Sequence, residues 1–158
     1  MNGQPSVKHD TQLSQLSRFL TYRVSRLHGK LNAQASRILR DSVGVTLNQW
    51  RMIAFIGGAG KITASELISY TAMDKGLVSR NLKSLIENGL VLSSPDDRDN
   101  RVHLLTLSPT GKNVFEAALP KMRRRQERLQ ENLSADDIST FRRVMDALEK
   151  AAEETDSQ

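Results

Sequence analysis

The sequence predicts a mainly α-helical fold with one small β-hairpin, and three observations lead to this prediction. Apolar residues recur at helical spacing over most of the 158 residues, with Ser, Thr or Asp where helices should begin. Two short stretches of strand composition, 90–94 and 101–107, flank the turn-rich sequence P-D-D-R-D-N. No run approaches the ~20 apolar residues of a membrane span, and the absence of cysteine excludes a disulfide-stabilised fold.

Leucine spacing predicts the first long helix. Residues 1–10 are polar and are expected to be disordered. From Leu13 to Ile38, apolar residues recur in steps of three and four, which predicts a helix of about 28 residues. Because a compact lobe cannot cover so long a helix, we expect it to pack against a second copy of the chain. Folding back onto its own chain stays an alternative.

The second helix should connect the two parts of the chain. Thr46 and Gln49 have the spacing of a capping box, which predicts a helix start just after Thr46. The sequence L-N-Q-W-R-M-I-A-F-I follows, and Gly57 with Gly58 predicts the end of the helix.

Two shorter helices are predicted next. Thr63 and Glu66 form a second capping box, so a helix should begin at Ala64 and end near Thr71. Asp74 is the next strong N-cap, and its carboxylate suits the positive end of the following helix dipole. Two helices joined by a few residues fit a helix-turn-helix.

The second of these helices should have two different faces. An apolar stripe is expected to pack inward: Val78, Leu82, Leu85 and Ile86. The residues expected to face outward, with Ser79 on the flank, are Gly76, Arg80, Lys83, Ser84 and Glu87. Gly89 suits the left-handed position that ends a helix. The outward face is the one that would enter a DNA groove.

The predicted hairpin carries arginines at its tip. Arg98 and Arg101 lie at or beside the turn, and an arginine on a protruding β-loop suits the negative potential of a narrow minor groove. A hairpin directly after a helix-turn-helix predicts a winged helix-turn-helix that binds double-stranded DNA. The net charge of +5 and the pI of about 9.8 agree with a polyanionic partner.

Two further helices are predicted after the hairpin. Ser108 and Pro109 read as N-cap and first helical residue, with a kink expected at Pro120, and Ser134 caps a last helix. The predicted organisation is one winged-helix domain over 11–158, with a DNA-binding lobe at 46–107 and dimerisation helices at 11–45 and 108–150.

The motifs of this region resemble a known family. D-K-G-L-V-S-R-N-L-K-S-L-I-E-N-G-L-V, followed by D-D-R-D-N-R-V-H-L-L-T-L-S-P-T-G, is similar to the multiple antibiotic resistance regulator (MarR) family of bacterial transcription factors. The D-x-R motif of the family's wing falls on Asp96 and Arg98, and its L-T pair on Leu105 and Thr106. The resemblance covers roughly Leu13 to Leu148.

The resemblance implies a homodimer that binds a pseudo-palindromic operator and usually represses. The sequence shows neither an apolar leader segment nor a membrane span, which predicts a cytoplasmic protein. Recognition-helix contacts would come from Ser79, Arg80 and Lys83, with Arg98 in the minor groove. The full set of predicted DNA-binding residues is Lys75, Gly76, Ser79, Arg80, Lys83, Arg98 and Arg101. Some relatives sense oxidants through a cysteine, a mechanism that this cysteine-free chain excludes.

In the family, small aromatic or phenolic ligands often bind between the dimerisation helices and the DNA-binding lobe. The residues predicted to line such a pocket are Ser25, His28, Asn48, Trp50 and Arg51. By pattern alone, Trp50 also fits a plain core position and His28 an exposed helix position. The first helix carries basic residues with no acidic residue between Asp10 and Asp41, and a second basic cluster covers 121–128. Either is a solvated face or a site for an anion.

The residue types argue against an enzyme. The three histidines lack metal-ligand spacing, there is no cysteine nucleophile, and no glycine-rich phosphate loop precedes a helix, so neither a metal nor another cofactor is expected. The leading hypothesis is a sequence-specific DNA-binding repressor released by a small ligand. The alternative is a non-specific architectural DNA-binding protein.

Overall fold

The computed structural model describes residues 15–71, 73–96, 99 and 101–155. These residues form a mainly helical fold with one small sheet, as the sequence predicts. The helices are α1 (Leu20–Val43), α2 (Leu47–Ala59), α3 (Ala64–Thr71), α4 (Lys75–Glu87), α5 (Pro109–Gln130) and α6 (Ala135–Thr155). The strands are β1 (Ile62–Thr63), β2 (Val91–Pro95) and β3 (His103–Leu107).

The chain divides at Pro120 into two compact units. The first contains α1 to α4, the sheet and the start of α5; the second contains the rest of α5 and α6. Helix α5 continues through Pro120 to Gln130, and the kink expected at Pro120 stays a prediction. The grouping into one domain over 11–158 stays a prediction. The disorder expected for 1–10 also stays a prediction, because residues 1–14 lie outside the described part of the chain.

The sheet has three antiparallel strands in the order β1-β3-β2. β2 and β3 form the expected hairpin, in which Leu92 pairs with Thr106. The sequence analysis does not predict β1. Its two residues pair with the side of β3 that faces away from β2, with Ile62 opposite Leu105. A two-residue strand has no periodicity of its own, so only its neighbour reveals it.

A single core lies inside the first unit, between α2, α3, α4 and one face of the sheet. Its fully buried large side chains are Leu39, Met52, Ile53, Ile56, Leu67, Leu85, Leu105, Val78 and Val91. Every one of the helices α1 to α4 contributes to this set, so the core fixes α4 and the hairpin on one scaffold.

The predicted first helix is interrupted between Leu16 and Leu20. α1 starts at Leu20, and its N-cap Phe19 has ψ 135°, outside the helical region. Gln15 and Leu16 are helical, and residues 17–18 form a turn in which the Arg18 amide donates to the Gln15 carbonyl at 3.0 Å. Leu16 therefore lies before a break at residues 17–19, and Leu13 lies outside the described residues. The apolar spacing continued across a backbone break that it could not reveal.

Helix α2 also ends later than expected. It continues through Gly57 and Gly58 to Ala59, and Gly60, with φ 73°, follows it. Gly57 is needed for close packing: a Cβ there would lie 2.8 Å from Phe115 Cδ2 and 3.0 Å from Leu107 Cδ1. The two glycines were interpreted as a helix end, whereas Gly57 lets α5 approach α2. None of the described helices is both long and apolar enough to cross a membrane.

Candidate nucleic-acid interface

The start of α4 is fixed as the sequence predicts. Asp74 is the N-cap, and its Oδ1 accepts from the Leu77 amide at 3.0 Å. On the inward side Val78 and Leu85 are buried. At the other end, Gly89 has φ 68° and the chain turns back into β2. Capping, burial and a glycine turn therefore hold α4 in one orientation.

The outward face of α4 is polar and basic. Lys75, Ser79, Arg80 and Lys83 are all exposed, and Gly76 is half-buried. Lys83 Nζ lies 3.8 Å from Glu87 Oε1, a solvent-exposed ion pair. Arg80 folds back along the helix, because its Nη1 lies 3.3 Å from the position of a Cβ built on Gly76. The face presents cations and a small hydroxyl with little bulk in front of them.

Two residues of α4 lie differently from the helical-wheel prediction. Ser84 does not project freely outward, since its Oγ accepts from Gln49 Nε2 of α2 at 3.4 Å and from Asn88 Nδ2 at 3.2 Å. Ile86, expected in the inward stripe, is 38% exposed. Ser84 therefore contacts α2 although it was expected to face outward, and Ile86 lies at the exposed margin of the apolar stripe.

The helix before α4 is held by a complete capping box. Glu66 Oε2 accepts from the Thr63 amide at 2.8 Å, and Thr63 Oγ1 accepts from the Glu66 amide at 3.2 Å. The hydrogen bond from the Thr63 amide, together with that from its hydroxyl, lowers the pKa of Glu66. Thr46 and Gln49 form the equivalent box at the start of α2, so both capping predictions are confirmed.

The hairpin tip places Arg101 at the surface. The Arg101 amide donates to Asp99 Oδ1 at 2.9 Å, and the Val102 amide donates to the Asp99 carbonyl at 2.9 Å. Asp99 thus shapes the turn by accepting from two backbone amides, one through its carboxylate and one through its carbonyl. Arg98, the predicted minor-groove residue, lies outside the described residues, as does Asp97.

The hairpin root is joined to both neighbouring helices. Ser108 Oγ donates to the Gly89 carbonyl at 2.6 Å, just beyond α4, and accepts from the Gly111 amide at 2.9 Å in the first turn of α5. Gly111 lies directly against Leu90, where an added Cβ would clash with the Leu90 carbonyl. Ser108 is therefore the expected N-cap and also ties α4, the hairpin and α5 together.

The structure joins three of the five predicted ligand-pocket residues through a residue that the sequence analysis missed. Asn32 of α1 accepts from Arg51 Nη2 at 3.2 Å through Oδ1, and its Nδ2 lies 3.0 Å from His28 Nε2. Arg51 Nη1 also donates to Asn48 Oδ1 at 3.3 Å. Asn32 could have been found as the residue one helical turn after His28.

The other two predicted pocket residues lie apart from this chain of hydrogen bonds. Ser25 is exposed on α1. Trp50 is buried, and its ring stacks on Phe115 with centroids 6.1 Å apart and planes at 22°. Trp50 therefore occupies the core position that the sequence analysis held open, although its stacking partner lines a cavity.

The described residues contain no cluster of three or more His, Cys, Asp or Glu side chains that could bind a metal ion. The described basic residues of α1 are exposed. Arg40 alone among them has a described ion pair, with Asp41 at 3.5 Å. The exposed face of α1 is therefore rich in cations.

Comparison with known proteins gives one consistent result. A model described as "MarR family" matches residues 43–101. The chain is 30% identical over 123 residues to the multiple antibiotic resistance protein MarR of Salmonella typhimurium, covering 75% of this chain and 85% of the relative.

Solved structures agree in fold. A mutant MarR from E. coli complexed with operator DNA has a TM-score of 0.65 at 25% identity, covering 80% of this chain and 93% of that one. The M. tuberculosis regulator MOSR in complex with DNA has a TM-score of 0.70 at 27% identity, with coverages of 87% and 98%.

Proposed function

The chain belongs to the MarR family of transcriptional regulators, and from this premise we propose that it is a cytoplasmic homodimeric repressor with a pseudo-palindromic operator. A small aromatic or phenolic ligand releases it from DNA. It is a DNA-binding regulator and not an enzyme. The observation that carries the proposal is the exposed face of α4 beside an arginine-bearing hairpin, both fixed on one buried core.

The recognition helix supplies the base contacts in this proposal. Arg80 is long enough to reach a guanine edge from the exposed face, and Ser79 can bond either a base or a phosphate. Lys75 and Lys83 neutralise phosphates, and Gly76 lets the backbone approach the duplex. The proximity of Arg80 Nη1 to Gly76 supports this role, since any side chain at 76 would compete for the same space.

The hairpin supplies minor-groove contacts. Arg98 would insert into the groove, with Arg101 at its edge. The bonds that Asp99 accepts from the Arg101 and Val102 amides support this assignment, because they hold the turn without using the Arg101 guanidinium.

Exposed apolar side chains on the terminal helices support the homodimer. In the first unit, α1 exposes Leu20, Val24 and Leu27, which follow one another in steps of four and three residues. In the second unit, α6 exposes Phe141 by 56% and Val144 by 39%, three residues apart. Large apolar groups at helical spacing on an otherwise polar surface indicate an interface. A second copy with the same helices provides the complementary surface.

Operator selection tests the proposal. Fragments selected from a random DNA pool should contain an inverted repeat with half-site centres about 10 bp apart. Inserting ~5 bp between the half-sites should reduce affinity about 10³-fold, to the non-specific level. Selection without sequence enrichment would instead favour an architectural DNA-binding protein.

A further inference from the structure

The outward face of α4 has a gap at Gly76, and the guanidinium group of Arg80 lies against it. The two residues are four apart, about one helical turn, so they lie on the same face of the helix. A Cβ built on Gly76 would lie 3.3 Å from Arg80 Nη1. The Arg80 side chain therefore runs back toward the first turn of α4, over a position that glycine leaves open.

The Asp74 carboxylate lies against the same gap. Its Oδ1 is 3.1 Å from the Cβ position of Gly76, and it accepts from the Leu77 amide at 3.0 Å. An ionised carboxylate can accept several hydrogen bonds, so capping the helix leaves it able to attract a cation. Because the carboxylate and the Arg80 guanidinium approach the same point, they lie within range of charge attraction.

The start of a helix is an unfavourable place for a cation. The helix dipole puts partial positive charge there, and Lys75 adds a full charge at the first residue of α4. The Asp74 carboxylate offsets this repulsion close to the Arg80 guanidinium. Without that negative charge, we expect Arg80 to extend away from the helix end and to sample more conformations.

We propose that Asp74 and Gly76 position Arg80 and thereby set the base preference of the recognition helix. Recognition helices contact base edges with their N-terminal residues, and Arg80 is the sixth residue of α4. Folding back over Gly76 brings the guanidinium group toward the end of the helix that contacts bases. Holding it there before DNA binds lowers the conformational entropy lost on binding. The inference rests on the proposed sequence-specific function, which it deepens.

A direct role of Gly76 against the duplex predicts a different result. If a side chain at this position only obstructed DNA, the obstruction would be the same whether or not residue 80 is an arginine. If it acts by displacing the Arg80 guanidinium, removing that group removes the effect. A double-mutant cycle separates the two roles.

The cycle combines Gly76→Ala with Arg80→Ala. Alone, Gly76→Ala should lower operator affinity about tenfold, part of the loss expected for Arg80→Ala. In the Arg80→Ala background it should change affinity less than about twofold. Lys83→Ala is the control, because Lys83 lies beside Glu87 further along α4, and its effect should add to that of Gly76→Ala. A full tenfold loss in the Arg80→Ala background would overturn the proposal.

Removing the Asp74 charge without removing its cap tests the other half of the proposal. Asparagine caps helices as well as aspartate does, so Asp74→Asn should fold, and Asp74→Ser is a second uncharged capping variant. The measured quantity is discrimination between the operator and a duplex altered at the base pair identified with Arg80→Ala. Asp74→Asn should reduce this discrimination about two- to fivefold, the scale of a solvent-exposed ion pair.

Discrimination is measured because losing a negative charge near DNA also strengthens binding to every sequence. Glu87→Gln is the matched control, since it removes the same charge from an exposed residue of α4 whose partner is Lys83. It should leave discrimination at that base pair unchanged. Undiminished discrimination in a folded Asp74→Asn protein, or equal losses in the two variants, would overturn the proposal.

The Arg80 side chain can also be measured without DNA. Nuclear magnetic resonance relaxation of the Nε–H group should show Arg80 more restricted than Arg142, which is exposed on α6. Gly76→Ala and Asp74→Asn should each raise the mobility of Arg80 toward that of Arg142. A restricted Arg80 without sequence-specific binding would contradict the repressor proposal alone. A mobile Arg80 in a parent protein that binds sequence-specifically would overturn this inference alone.

Discussion

The winged lobe and the terminal helices differ in where their apolar side chains lie. Within the lobe, Ile53, Leu67 and Leu85 are fully buried by other parts of the same chain. On the terminal helices Leu27 is 46% exposed and Phe141 56%. Both regions have amphipathic helices, so amphipathicity alone does not tell whether a helix is covered by its own chain. The difference is in keeping with the proposed homodimer, in which a second copy would cover the terminal helices.

The largest effect is expected from a substitution in the exposed apolar surface of the terminal helices. Phe141→Asp should raise the dimer dissociation constant at least about 100-fold, because a two-fold interface loses two aromatic contacts worth roughly 2 kcal/mol each. Operator affinity should fall with it, while the thermal melting of the lobe persists. Sedimentation and operator titration measure the two quantities.

Thr140→Asp is the matched control, since it places the same charge on an exposed neighbouring residue. It should leave the dimer intact. A tight Phe141→Asp dimer would show that the exposed surface of α6 is not the interface.

The next effect belongs to the recognition helix. Arg80→Ala should cost about 2 kcal/mol of operator binding, roughly 30-fold, and relax the preference at one base pair. Lys83→Ala should weaken binding on all sequences alike and reduce its salt dependence. Titrations against operator variants at two salt concentrations distinguish these roles, and an equal loss for Arg80→Ala on every sequence would make Arg80 a phosphate contact.

A somewhat smaller effect is expected at the wing. Arg98→Ala should weaken operator binding about tenfold by removing one cation from the minor groove. Because the residue is predicted to lie at the hairpin tip, dimer mass and melting temperature should stay those of the parent protein. Unchanged operator affinity in a folded Arg98→Ala protein would contradict the wing assignment.

The smallest effect compares equivalent caps in the two regions. Hydrogen bonds from Thr63 lower the pKa of Glu66 in the lobe, and bonds from Ser134 lower that of Asp137 at the start of α6. A carboxylate with a lowered folded-state pKa stabilises the fold above its unfolded pKa, and this stabilisation is lost as the pH falls through the folded value. The melting temperature should therefore decrease when the pH is lowered below about 5.

Glu66→Gln and Asp137→Asn should each reduce that acid sensitivity slightly, because neither amide titrates. Asp136→Asn, at an exposed neighbouring residue, is the control. An unchanged pH dependence in both cap variants would mean that other carboxylates dominate acid unfolding.

Local signals located most of the elements correctly. Thr46, Thr63, Asp74, Ser108 and Ser134 all precede helices within one residue of the expected starts, because a cap is a bond between residues three apart and needs no distant partner. The hairpin followed equally from strand composition around a charged turn. The exposed polar face of α4 followed from its apolar stripe, except at Ser84.

Long-range packing decided the rest. β1 exists because Ile62 meets Leu105, and α2 continues past Gly57 because Phe115 packs where a side chain would be. Asn32 accepts a hydrogen bond from Arg51, 19 residues away in the chain. One cavity is lined by Ile56, Leu92 and Phe115, which come from three distant segments. The sequence by itself determined the caps, the amphipathic faces and the family, since these are encoded by residue type at short spacing. Only the tertiary structure decided which apolar faces are covered and where the cavity lies, because both depend on the distances between segments that the folded chain brings together.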